Sequence, residues 1–184
     1  MIRSLFAAAS ALTLSGCAMV AQTSAPPAGL NWYVISQLNG FYEDPEDPTN
    51  RPPLVTAPPA GVVTAVDVNA DGANDWVVDW PEGTQFCGTG GCRDTVYLTH
   101  GQNLVRIFDR QTLDGLTFSM VAGEPRIEGS FHHLACNDTR EDCRLAWGLD
   151  PATRTLVPRS SANGDAFSSQ EDEGPIEGTW AGED

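Results

Sequence analysis

The sequence predicts a mainly β protein, with antiparallel hairpins forming a single small sandwich or barrel-like domain and a short helix on its N-terminal side. Three observations predict it. After Gly61 the chain breaks into short segments rich in valine, threonine and aromatics, each closed by turn residues. Several connections between those segments are hairpin length, as at His100-Gly101-Gln102-Asn103, Gly123-Glu124-Pro125 and Asp150-Pro151-Ala152-Thr153. Finally, four of the five cysteines fall as two close pairs between segments, where local bridges staple a small domain.

The first element is not part of that domain. Met1-Ile2-Arg3 precedes an apolar run of about ten residues, the length of a signal-peptide core and short of the roughly 20 residues that span a bilayer. The run ends in Leu14-Ser15-Gly16-Cys17, which resembles the lipobox of bacterial lipoproteins. That resemblance implies cleavage before Cys17, acylation of its sulfur and new amino group, and a life outside the cytoplasm. Membrane attachment is then through lipid, several acyl chains adding about 0.8 kcal/mol per buried CH₂. Ala18 stands where inner-membrane lipoproteins commonly carry aspartate, so the resemblance favours the outer membrane, facing the periplasm. The alternative is ordinary secretion, with cleavage near Ala21 or Ala25 and Cys17 discarded.

Residues 1–16 are thus expected as signal peptide and 17–30 as a tether, small, polar and proline-containing. In Asn31 to Phe41, Trp32, Ile35 and Leu38 fall three apart and suggest one side of a short helix. Glu43 to Pro59 holds six of the 13 prolines and is expected as extended loop, because so many missing amide donors forbid a helix or central strand. Strands are expected at Val62–Val68, Asp75–Trp80, Thr95–Thr99, Leu104–Asp109, Leu116–Val121, Arg126–Leu134, Arg144–Leu149 and Arg154–Val157. Trp76, Val78 and Trp80 share one face by two-residue alternation and should carry much of the core. The domain is expected over 31–159. Residues 160–184 hold seven acidic and no basic residues, and are expected as a disordered tail.

A formal charge of −15, with no lysine among the basic residues, excludes nucleic acid and anionic headgroups as natural partners. It leaves divalent cations, a basic partner protein, or plain solubility. With Cys17 assigned to lipid, Cys87, Cys92, Cys136 and Cys143 form an even set, and the nearest pairings are Cys87–Cys92 and Cys136–Cys143. Each would stabilise by about 2 kcal/mol in the loop-entropy model. The rival is a zinc site from the four thiolates with His132 or His133. It is disfavoured by the six-residue gap of the second pair and by the oxidising compartment.

The sharpest motif is Asp67-Val68-Asn69-Ala70-Asp71-Gly72-Ala73-Asn74-Asp75. Calcium takes six to eight oxygen ligands, and oxygen side chains at alternate loop positions converge where glycine permits a sharp turn. On that logic Asp67, Asn69, Asp71 and Asp75 supply side-chain oxygens, Ala73 a backbone carbonyl, and water completes the shell. Crowding three carboxylates onto one loop costs roughly 1–4 kcal/mol per close pair, which a dication removes. An EF-hand does not fit, since the twelfth position is Val78 and the flanks read as strands. The alternative is a solvated Asx-rich hairpin that binds nothing. The loop resembles the calcium loops of FG-GAP and VCBS-type repeats. Together with Phe86-Cys87-Gly88-Thr89-Gly90-Gly91-Cys92 it is similar to a family of exported proteobacterial proteins, a likeness that covers about residues 62–109 and implies no particular activity. A single such loop does not imply a propeller or its ligand-binding face.

Catalytic candidates are thin. No lysine and no helix follow the glycine-rich Cys87–Cys92 segment, which argues against a nucleotide or other phosphate ligand. His132-His133 has no accompanying G-x-S-x-G elbow or H-E-x-x-H helix, and neighbours on one strand should point to opposite faces. His100 is expected exposed in a turn. The sequence therefore favours a lipid-anchored envelope module, binding or structural, with one structural calcium loop and no enzymatic role. The alternatives are an inhibitor or assembly factor that captures a basic partner, and an envelope hydrolase using carboxylates or a histidine.

Overall fold

A computed structural model describes residues 25–41, 53–135, 142–159 and 179–180. The segment expected as a signal peptide with Cys17, most of the expected tether, and Cys136 lie outside the described residues. Among the described residues no helix is long and apolar enough to cross a membrane.

The domain is two antiparallel sheets with a helix packed on one of them, and neither sheet closes into a barrel. Helix α1 spans Ala28–Phe41. Pro27 suits its start: proline cannot continue a helix backwards, and its carbonyl accepts the Asn31 amide at 3.1 Å. The buried face is Leu30, Val34 and Leu38, spaced four apart, while Trp32 is 68% exposed. The expected Trp32–Ile35–Leu38 face is corrected, and so is the tether boundary, because the helix begins before Leu30. Four-residue spacing drifts least around a 3.6-residue turn over this length, so it keeps three side chains on one stripe.

The first sheet runs β1 (Val63–Val66), β2 (Asp75–Asp79), β4 (Gly91–His100), β5 (Asn103–Thr112) and β10 (Thr179–Trp180), with β3 (Cys87–Gly88) paired to the start of β4. The second runs β6 (Leu116–Val121), β7 (Glu124–His132), β8 (Asp142–Asp150) and β9 (Thr155–Arg159). All eight expected strands are present. The two-residue β3 and β10 were not expected; β10 takes Thr179 and Trp180 out of the tail and pairs them with Val105 and Leu104.

Alternation along β2 and β4 splits the interior into two cores. Val77, Val96, Leu98 and Phe108 face the second sheet and pack with Ile127, Phe131, Leu145, Trp147 and Leu149. Trp76, Val78, Trp80, Tyr97 and Leu104 face the opposite way, against Leu30, Val34 and Leu38 of α1. The alternating tryptophans thus do carry a core, and the central strands are covered on both faces. Aromatic contacts reinforce each core: Trp147 stands edge-on to Phe108 and Phe131 at 5.3 Å, and Trp80 lies 4.0 Å from Phe86. Such pairs contribute about 0.5–1.5 kcal/mol each beyond burial.

Candidate functional site

Val66 and Asp75 pair across β1 and β2, so residues 67–74 form the hairpin loop between them. A chain of oxygen-to-amide contacts shapes that loop. The Asp67 carboxylate accepts the amides of Asp71 at 3.1 Å and Gly72 at 3.0 Å. Asn69 Oδ1 accepts the Asp71 amide at 3.0 Å, and Asp71 Oδ1 accepts that of Ala73 at 2.7 Å. Asn69 Nδ2 donates to Asp71 Oδ2 at 2.9 Å. Gly72 has φ +83°, a conformation that makes the turn and that a side chain would strain.

Asp75 stands apart from these residues. It is completely buried, and its two oxygens accept the Val68 amide at 2.9 Å and the Thr99 amide at 2.8 Å. Its carboxyl is held above the ordinary value by burial first, opposed by those two amides and reinforced by the charges of Asp71 and Asp67. Asp75 therefore ties the loop to the end of β4. The expectation grouped it with Asp67, Asn69, Asp71 and the Ala73 carbonyl as equivalent donors. Its anchoring role was not legible, because the Thr99 partner lies 24 residues further along the chain. Among the described residues no group of three or more Asp, Glu, His or Cys side chains is arranged to hold a metal ion. The chemistry of the donors nonetheless suits a hard cation, since Asp67, Asn69 and Asp71 offer only oxygen and amide groups and each carboxylate oxygen retains acceptor capacity beyond one amide.

The cysteine-bearing hairpin lies at the other end of β4. Cys87 and Cys92 sit directly opposite each other in β3 and β4 and are disulfide-bonded, as expected. Gly91, between them in the chain, is required sterically: a Cβ there would lie 1.9 Å from the Thr112 carbonyl oxygen. Cys143 is also disulfide-bonded and buried; its expected partner, Cys136, lies outside the described residues. Nearby, Asp94 is 2% exposed and accepts a hydrogen bond from the Thr112 hydroxyl, which itself accepts the Gly115 amide at 3.1 Å. Burial pushes the Asp94 carboxyl up to about 6; the Thr112 bond opposes this and the Asp79 charge, opposite in register, adds to it.

His132 and His133 differ from expectation, whereas His100 is exposed as expected. His132 ends β7 and His133 opens a 3-10 turn, so the two rings are not thrown to opposite faces but stack with centroids 4.1 Å apart. Strand alternation does not extend past the strand's last residue. His100 closes β4, and its Nε2 lies 3.0 Å from Arg154 Nη2 in the β8–β9 turn. Comparison with family models, curated proteins and solved structures finds no match to this chain.

Proposed function

We propose that the chain is a lipid-anchored module of the cell envelope, acting in binding or structure, whose β1–β2 loop is completed by a structural calcium ion. The observation that carries this reading is the loop itself. One turn gathers the oxygens of Asp67, Asn69 and Asp71, and the charges of Asp67 and Asp71 reach the buried Asp75 beneath. In this reading Asp67, Asn69, Asp71 and the Ala73 carbonyl hold the ion. Asp75 positions the loop and contributes charge from below. Calcium supplies no chemistry here beyond neutralising these carboxylates and fixing the loop. Anchorage rests on Cys17 and the Leu14-Ser15-Gly16-Cys17 motif.

Thermal unfolding with and without calcium tests the metal. Calcium at a hundredfold excess over its dissociation constant should stabilise the wild type by about 2.7 kcal/mol. Asp71→Ala should abolish that response while the protein is still exported. No calcium response in the wild type would remove the ion from the proposal. Mass spectrometry of the natively produced protein tests the anchor separately, with an acylated mature chain beginning at Cys17 as the expected species.

A further inference from the structure

A cavity of about 300 Å³ opens at the end of the sandwich where the β1–β2 loop, the end of β4 and the β8–β9 turn meet. That is at the lower end of the size range of small-molecule sites. It is lined by the hydrogen-bonded Asn69 and Asp71, by Arg154 in contact with His100, and by the buried Leu98 and Leu149, so that an acidic and a basic side chain share it.

Arg154 lies in the β8–β9 turn with φ +58°, a left-handed conformation that Ala70 and Ala122 also adopt in this chain. Its contact is unusual for this protein. Arg93 and Arg106 share Asp109, and Arg126 and Arg159 share Glu124. Arg154 instead meets the ring of His100 and has no carboxylate within ion-pair distance among the described residues, in a chain with 25 acidic side chains. A guanidinium in that state retains donors suited to a planar carboxylate.

We propose that this cavity binds a small zwitterion, a free α-amino acid with a short aliphatic side chain. The ligand's carboxylate pairs with Arg154 beside His100, its ammonium faces Asp71 and Asn69, and its side chain covers Leu98 and Leu149. A monoanion without the ammonium meets an uncompensated acidic wall, and an amine without the carboxylate leaves Arg154 unpaired. The site does not rest on the calcium reading: it belongs to the calcium-free loop, and an ion held by Asn69 and Asp71 would compete with the ammonium for the same oxygens.

Heteronuclear NMR titration with L-leucine, isovalerate and isoamylamine, in EDTA and again in calcium, tests this directly. L-leucine should give saturable shifts at Leu98, Thr99, Leu149 and Arg154 in EDTA, weakened by calcium where the loop holds the ion, with the other two probes at least about tenfold weaker in EDTA. Arg154→Gly removes the guanidinium while suiting the backbone, so it should weaken L-leucine about tenfold or more without lowering the melting temperature. Arg154→Gln should weaken it similarly. Absence of saturable L-leucine binding in EDTA overturns the site. Equal affinity for isoamylamine, or unchanged L-leucine affinity in both Arg154 variants, overturns the zwitterion assignment.

Discussion

Asp75 and Asp94 are both buried on the sandwich side of the first sheet, near opposite ends of β4, yet the fold treats them differently. Asp75 accepts two backbone amides, one from its own loop and one from β4. Asp94 accepts one side-chain hydroxyl, from Thr112, and lies opposite another carboxylate, Asp79. The first end is a carboxylate used as a tie between two chain segments. The second is a carboxylate placed where its charge is poorly compensated, on β4 just beyond the Cys87–Cys92 disulfide. A buried carboxylate can thus fasten one place and strain another, depending on how many donors meet it.

The largest effect should come from breaking the tie. Asp75→Ala orphans the buried Val68 amide and the half-buried Thr99 amide, each costing up to about 1–3 kcal/mol, so chemical denaturation should show a loss of about 2–4 kcal/mol. A loss below about 1 kcal/mol would mean that water or another group takes over those amides.

A smaller effect of opposite sign is expected at the other end. The folded value of about 6 for Asp94 lies above the unfolded carboxylate range, so the folded state holds a proton that the unfolded chain has released. Asp94 therefore favours the fold fully below about pH 4, and that contribution is lost as pH rises through about 6. Asp94→Asn should flatten this part of the stability profile, and above pH 6 it should be at least as stable as the wild type. A wild-type profile that rises from pH 4 to 6 and is unchanged in the variant would refute the assignment. The calcium response should be untouched by Asp94→Asn, because that carboxylate is at the far end of the sheet from the loop.

Much of the architecture was legible because strand identity and facing depend on neighbouring residues. Two-residue alternation revealed that Trp76, Val78 and Trp80 share a face, and the five-residue separation of Cys87 and Cys92 suggested their bridge. Where the local signal is weak, spacing along the chain misplaces what packing decides. A triplet spacing put Trp32 on the inner side of α1, whereas packing chose Leu30, Val34 and Leu38. The stacking of His132 and His133 escaped because it depends on where β7 stops. The site was half legible. The loop donors are adjacent in sequence, but His100 and Arg154, which line the same cavity, meet across 54 residues, and no short motif marks that pairing.

By itself the sequence determined the β class, the eight main strands, the Asx-rich hairpin loop and the cross-strand disulfide, since each is written in residues close together along the chain. The tertiary structure alone decided that the alternating tryptophans face a helix, that Asp75 serves as an anchor, and that Arg154 and Asp71 line one cavity. Those outcomes depend on how two sheets and a helix stack. Stacking is a property of long-range packing, and no periodicity within a single segment encodes it.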